Sequence, residues 1–349
     1  MTRILVIQTA FLGDVVLTTP LLRELRRAHP QARIAVLTTP LGAEVLRGAS
    51  SIDRIYPYDK RAGLYGVRGL VRSVRRIRRD GPVDVCVAAH RSYRTGILTR
   101  GTGATRRIGY VGASGAWAYT DLVPWNPGAH AVDRYLALAG PAGGDPESAN
   151  ARPRIELCEQ DTLAADGRLE ALGVPAGRPL VCVAPGSHWA AKRWLPERFG
   201  AVAGSLVRRG RAVVIVGNER ERALCEQVAG VAGDGAVNAA GKLAVRELIA
   251  VLARAEVLIG NDSGPAHAAG AVETPVVAVF GPTTPSLGFT PLGPAIRIVE
   301  LEGLDCRPCH RHGPNRCPLE HFRCMREITP DEVMTVVREL PGVSPVEAK

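Results

Sequence analysis

Several groups of side chains have types and spacings that could do chemistry. Asp14 follows Gly13 just beyond an apolar run, RILVIQ, at Arg3–Gln8. A carboxylate there could serve as general base on a hydroxyl, or equally as the N-cap of the helix expected over 15–29. A second apolar run, 180–184, leads into Pro185-Gly186-Ser187 and then Lys192. A glycine turn, a hydroxyl and a lysine together would place donors on a diphosphate without a metal. The alternative is a solvated basic loop whose two tryptophans pack on the next helix. Gly217-Asn218-Glu219-Arg220-Glu221 also follows a strand. An acid there could hydrogen-bond ribose hydroxyls, or simply favour the first turn of a helix.

The chain is organised around residues 257–284, VLIGNDSGPAHAAGAVETPVVAVFGPTT. A strand over 257–259 turns through Asn261-Asp262-Ser263-Gly264 into a small-residue helix over 265–272, and a strand over 275–280 follows. Pro265 suits the first helical position. Unpaired backbone N–H groups and the positive end of the helix dipole meet at that turn, which reads as a phosphate cradle. His267 on the first turn strengthens the reading over simple capping by Asp262 and Ser263. The last group is Cys306, Cys309, Cys317 and Cys324, spaced C-x2-C-x7-C-x6-C with His310, His312 and His321 interleaved. Such spacing suggests a structural zinc clip more readily than disulfides. Packed free thiols or a redox-dependent bridge, with no part in catalysis, are the other readings.

The elements needed to position these groups follow from periodicity. Strands are expected over 3–8, 33–38, 52–56 and 83–88, with an edge strand over 107–111. Helices are expected over 15–29, from about 41, and over a strongly basic 63–79. The Pro- and Gly-rich stretch 140–153 breaks the pattern and reads as a linker. Beyond it strands over 180–184 and 212–216 alternate with helices over 196–209, 220–229 and 245–255, and a helix over 330–340 closes the chain. Alternation of this kind implies parallel sheets covered on both faces. The expectation is an α/β chain of two doubly wound domains, 1–150 and 151–349, facing a cleft to which both contribute turns from the carboxyl ends of their strands.

Composition narrows the function. The 349 residues carry a formal charge of +10, which favours an anionic partner, while only 5% are aromatic and no basic–aromatic stripe stacks bases. Nucleic acid is therefore not expected. No apolar run approaches the ~18 residues of a membrane span, and the short apolar amino terminus reads as a strand, not a leader. Cysteines standing singly in the expected strands and helices suggest a reducing, cytoplasmic setting. No G-x-G-x-x-G follows the first strand, which argues against a dinucleotide-dependent oxidoreductase.

Three segments together, FLGDVVLTTPLLRELR, PGSHWAAKRWLPERF and GNDSGPAHAAGAVETPVVAVFGPTTP, resemble glycosyltransferase family 9, the lipopolysaccharide heptosyltransferases. The resemblance extends over essentially the whole chain. The tail DCRPCHRHGPNRCPLEHFRCM looks most like the heptosyltransferase II branch. The resemblance implies a GT-B fold of two Rossmann-like domains, with the acceptor on the first and ADP-heptose on the second. It implies inverting, metal-independent transfer of heptose from ADP-L-glycero-D-manno-heptose to heptosylated Kdo–lipid A in the lipopolysaccharide inner core, with no cofactor. Asp14 then corresponds to the catalytic aspartate and Lys192 to the donor-phosphate lysine. Ser187, Asp262, Ser263, Gly264 and His267 fall at the donor. Glu219 and Glu221 both fit the ribose-contacting acid, with Glu219 preferred. Gly13, Arg61, Arg91 and Arg94 are expected at the acceptor. The basic helix, with Arg68, Arg72, Arg75, Arg76 and Arg79 near one face, reads either as a solvated surface or as an attraction to the anionic cytoplasmic face of the inner membrane. Competing readings are a family member with another donor or acceptor sugar, a non-catalytic two-domain sugar-binding protein, and a nucleotide-sugar epimerase.

Overall fold

The structure, a computed structural model, describes residues 1–60, 67–341 and 343. It falls into two compact units, Met1–Glu156 and Leu157–Lys349.

In the amino-terminal unit the described residues form a sheet of β1 (Arg3–Gln8), β2 (Arg33–Thr38), β3 (Arg54–Pro57), β4 (Val85–Ala88), β5 (Arg106–Tyr110) and β6 (Asp121–Val123). All pairs are parallel, in the order β3-β2-β1-β4-β5-β6. β1 is apolar at nearly every position and buried throughout, as a central strand covered on both faces must be. Leu5 and Ile7 pack with Leu37, Tyr56, Ile77, Cys86 and Leu98. The carboxy-terminal unit repeats the plan with β7 (Leu180–Ala184), β8 (Ala212–Ile215), β9 (Ala236–Asn238), β10 (Val257–Asn261), β11 (Val276–Phe280) and β12 (Ile296–Glu300). Its order is β12-β11-β10-β7-β8-β9, again all parallel. Each sheet therefore reverses its winding once, between β1 and β4 and between β7 and β10. Ligands of open α/β sheets bind at such switch points, outside the carboxyl ends of the strands.

The structure revises several expected elements. The strand over 107–111 is not at an edge, because the three-residue β6 pairs outside it. The helix expected over 15–29 is two helices, Leu12–Leu17 and Thr19–Ala28. Pro20 has no N–H to offer Val16, and the Thr19 hydroxyl bonds the Val16 carbonyl at 2.8 Å. Of the basic helix, Val67–Arg79 lies in the described part. Its five named arginines are exposed, while Gly69, Ser73 and Ile77 are buried. The closing helix, Pro330–Arg338, seats Val333 and Val337 in the core of the second sheet, beside Trp194 and Phe199.

Candidate active site

In the amino-terminal unit the switch point gathers a carboxylate and several cations. Asp14 is the third residue of helix Leu12–Leu17, whose N-cap is Phe11, so it is not the cap. Its Oδ1 accepts a 2.8 Å hydrogen bond from the Tyr135 hydroxyl. Burial raises the Asp14 carboxyl above its ordinary value, against the Tyr135 hydrogen bond, a backbone bond from Phe11 and the charge of Arg134. The charge of Asp14 in turn favours the ammonium of Lys60, although burial and Arg94 pull that lysine down. Arg94 donates to the Lys60 carbonyl at 3.4 Å. His90, at the end of β4, has Nδ1 3.2 Å from the Thr9 hydroxyl and 3.3 Å from that of Thr95. Burial first, then Lys60, depresses it to about 4, so it is neutral at pH 7. Arg91 donates to the Gly112 carbonyl at 3.1 Å, and its guanidinium lies 4.1 Å from the Trp125 ring centroid. Of the residues expected at the acceptor, Gly13 and Arg94 stand in this group. Arg91 is turned to Trp125, and Arg61 lies outside the described residues. Lys60, His90, Arg134 and Tyr135 were not anticipated, since no local spacing ties residues so far apart to Asp14.

The carboxy-terminal switch point is built by β7 and β10. Asn261, fully buried, donates to the Pro185 carbonyl at 2.8 Å and accepts from Trp194 N–H at 2.9 Å, locking the two turns together. Lys192 forms an ion pair with Asp262, both side chains about nine-tenths buried. Thr283, from the loop after β11, donates to the same Asp262 oxygen at 2.7 Å. Ser263 is the N-cap of helix Gly264–Ala271, and its hydroxyl, which is buried, makes no hydrogen bond. Gly264 opens that helix, and His267 is buried within it. Ser187 is buried in the turn after β7, its carbonyl accepting from Arg193 at 2.9 Å. Trp194 packs on Phe199, with ring centroids 4.9 Å apart, whereas Trp189 is half-exposed beside His188. The basic loop is thus anchored by one tryptophan, not two.

The two candidate acids near β8 differ sharply. Glu219 is 66% exposed, paired with Arg222, and lies over Gly241, where a Cβ would stand 2.0 Å from its Oε2. Glu221 folds back, accepting from Asn218 N–H at 2.9 Å. It lies over Gly186 so closely that a Cβ there would stand 2.1 Å from its Oε1. Only a glycine leaves room for that carboxylate.

The cysteine-rich segment closes over the same turns. Gly313 lies on Lys192, where a Cβ would come within 2.7 Å of Cγ and Cδ, and Ala191 N–H donates to the Pro314 carbonyl at 3.2 Å. Arg307 bonds Glu300 at 2.6 Å and the carbonyl of Thr283 at 3.1 Å. The segment is therefore more than a clip for the last helix. Cys306, Cys309, Cys317, Cys324 and His321 line one cavity of about 300 Å³, with Cys306 Sγ 3.8 Å from His321 Nε2. All four are free thiols. Among the described residues no three His, Cys, Asp or Glu side chains stand together so as to hold a metal ion.

Comparison with known proteins bears on this geometry. The family model for glycosyltransferase family 9 (heptosyltransferase) matches residues 71–319. The chain belongs to glycosyltransferase family 9. The match contains Lys192, Glu221 and the Asp262–His267 turn but begins after Asp14. A longer similarity reaches further. Lipooligosaccharide heptosyltransferase 2 of Haemophilus ducreyi is 24% identical over 97% of this chain and 99% of its own. Lipopolysaccharide heptosyltransferase 3 of Escherichia coli K12 is 29% identical, over 78% of this chain and 80% of its own. The solved structure of the E. coli ADP-heptose lipopolysaccharide heptosyltransferase II superposes with a TM-score of 0.79 at 21% identity, covering 97% of this chain and 98% of that one. The family 9 chain thus has the GT-B fold and is a glycosyltransferase.

Proposed function

We propose that this enzyme transfers heptose, with inversion and without a metal, from ADP-L-glycero-D-manno-heptose to the lipopolysaccharide inner core. The observation that carries the reading is Asp14. It sits at the switch point of the first sheet, its carboxyl is raised by burial, and one of its oxygens is tied to Tyr135. A carboxylate whose proton affinity is raised is a stronger base than one in free solvent. The acceptor hydroxyl gives its proton to Asp14 as its oxygen bonds the anomeric carbon opposite the leaving ADP. Negative charge growing on the diphosphate is met by Lys192 and by the N–H groups at the start of helix Gly264–Ala271, in place of a divalent ion. Lys192 must then exchange Asp262 for phosphate. Asp262 and the unpartnered Ser263 hydroxyl are left to accept from and donate to sugar or phosphate. Glu221, not Glu219, is our choice for the ribose hydroxyls. Lys60 and Arg94, with Arg61 and Arg91, supply the positive surface for an anionic acceptor.

Asp14→Asn keeps the shape and removes the basicity, so turnover should fall by ~10²-fold or more while donor binding survives. The assay is ADP release from ADP-heptose with a heptosylated Kdo–lipid A acceptor, with and without chelator. Near wild-type turnover of that variant, or a strict need for magnesium, would refute the mechanism. A family member acting at another acceptor heptose is the second reading, favoured by the 29% identity to a heptosyltransferase 3. Mass spectrometry of the product separates the two.

Such an acceptor lies in a membrane. No helix among the described residues is long and apolar enough to cross one. We therefore assign peripheral attachment at the cytoplasmic face to helix Val67–Arg79 and its exposed arginines. It packs on helix Tyr93–Thr102, Val74 against Gly101, and Tyr93 there forms an exposed pair with Trp117, ring centroids 5.6 Å apart. Binding to anionic vesicles should weaken as salt rises, since exposed charges are screened over ~8–10 Å. Salt-independent binding, or none, would return the arginines to a merely solvated face.

A further inference from the structure

Tyr135 is buried, and its phenol reaches Asp14 from a helix 121 residues away in sequence. That helix, Ala131–Ala137, is fixed on several sides. The Tyr110 hydroxyl donates to the Arg134 carbonyl at 2.8 Å, and the Trp125 ring lies between the guanidinium groups of Arg91 and Arg134, at 4.1 and 4.7 Å. The Tyr110 ring meets Trp125 edge-on, with centroids 4.9 Å apart. Gln8, at the end of β1, donates from Nε2 to the Thr18 hydroxyl at 2.9 Å and accepts from Ala10 N–H at 3.2 Å. The phenol is thus aimed, and what it is aimed at is one oxygen of Asp14.

We propose that Tyr135 is a positioning residue for the transfer: it occupies Oδ1 of Asp14 as a hydrogen-bond donor, so that the acceptor's proton is taken by Oδ2. This rests on Asp14 being the base. No atoms are exchanged with Tyr135. Its O–H stays intact, and the proton leaving the acceptor oxygen ends on Oδ2 as that oxygen's electron pair forms the bond to the anomeric carbon. The phenol is held in its protonated form by burial, with the charge of Asp14 adding to the effect. The other groups bearing on Asp14 are cations: Arg134 from the same helix, and Lys60 from the loop after β3. Arg94 acts on Lys60, and Lys60 in turn on His90.

A donor to the carboxylate favours its basic form, so removing it makes Asp14 titrate at higher pH. A hydrogen bond to a charged group is worth enough to move a titration by about one to two pH units. In Tyr135→Phe the acid limb of kcat against pH should therefore move upward by that amount, with the high-pH plateau kept within ~5-fold. Just below the limb, activity falls by ~10-fold or more. Incorporating 3-fluorotyrosine at position 135 keeps the shape and strengthens the donor, so it should move the limb the other way. That arm also serves if Tyr135→Phe folds poorly. Repeating the profiles with His90→Asn removes a nearby group depressed to about 4, and the displacement should persist. A plateau lowered equally at every pH, with the limb unmoved in both Tyr135 variants, would mean that the ring only fills space and would overturn the proposal. Full turnover in Asp14→Asn would instead remove the base on which it rests, and the two failures are read from different variants.

Discussion

The ion pair between Lys192 and Asp262 offers a way to separate folding from chemistry. Both side chains are almost fully buried, and Asp262 has one other hydrogen bond, from Thr283. Lys192→Met keeps the length and apolar stem of the lysine but leaves Asp262 buried without its counter-charge. Removing one member of a buried pair costs about 3–5 kcal/mol, because the partner cannot recover its water. In a unit the size of Leu157–Lys349, each kcal/mol moves the unfolding midpoint by about 2–4 °C, so a drop of about 6–20 °C is expected. Adding Asp262→Asn removes the stranded charge while keeping a carbonyl for the Thr283 hydroxyl, and most of the loss should return. Heating the full chain and following tryptophan emission reads both variants, since Trp194 lies in this unit's core. Calorimetric titration with ADP supplies the functional axis: neither variant should bind it well, although the double variant is folded. If the single and double variants melt together within about a degree, Asp262 was not stranded and the reasoning is wrong. If the double variant still binds ADP as the wild type does, Lys192 does not meet the diphosphate.

Other outcomes follow from the same geometry. Gly186→Ala places a methyl where Glu221 Oε1 now lies, so the carboxylate must leave; ADP-heptose KM should rise by ~10-fold with a smaller change in kcat, and an unchanged KM would clear Glu221 of any part in donor binding. Asp161 is held well below the usual carboxylate range, chiefly by hydrogen bonds from Arg246, and both side chains are buried. A depressed folded-state value contributes stability that is complete above the unfolded value of about 4 and lost as the pH falls toward the folded one. Asp161→Asn should therefore lower the midpoint at pH 7 and flatten its decline below pH 4, and an acid decline as steep as the wild type's would exclude this pair as its source.

How much of this was legible in the sequence depended on whether a signal was local. The apolar runs of β1, β2 and β7 announce buried parallel strands at the bounds the structure shows. Their order in the sheet puts the turns after β1, β7 and β10 at the switch points, which is why motifs read on each turn separately come to lie where ligands bind. β6 and β9, at three residues each, are too short for any periodicity to register. β12, at a sheet edge, is only partly buried, with Arg297 exposed, and lacks the continuous apolar run that marks its neighbours. Pro20 was visible, yet its effect depends on whether a nearby hydroxyl can take over the carbonyl it abandons, and Thr19 does.

Function turned on partners, and partners are not local. The spacing that singled out Asp14 could not tell a base from a cap. The structure puts Phe11 at the cap position and brings a phenol to the carboxylate from 121 residues away, and neither is written in that spacing. Glu219 and Glu221 make the same point at shorter range. Two residues apart on a single turn, they point to different surroundings, and the side chain that matters is one that is missing. Gly186, on another strand's turn, leaves the space that Glu221 enters, while Glu219, exposed beside Arg222, lies over Gly241. A glycine beside a phosphate-binding turn is usually read as freedom of the backbone. Here it is room for a carboxylate, and only the packing of β7 beside β8 shows which acid takes it.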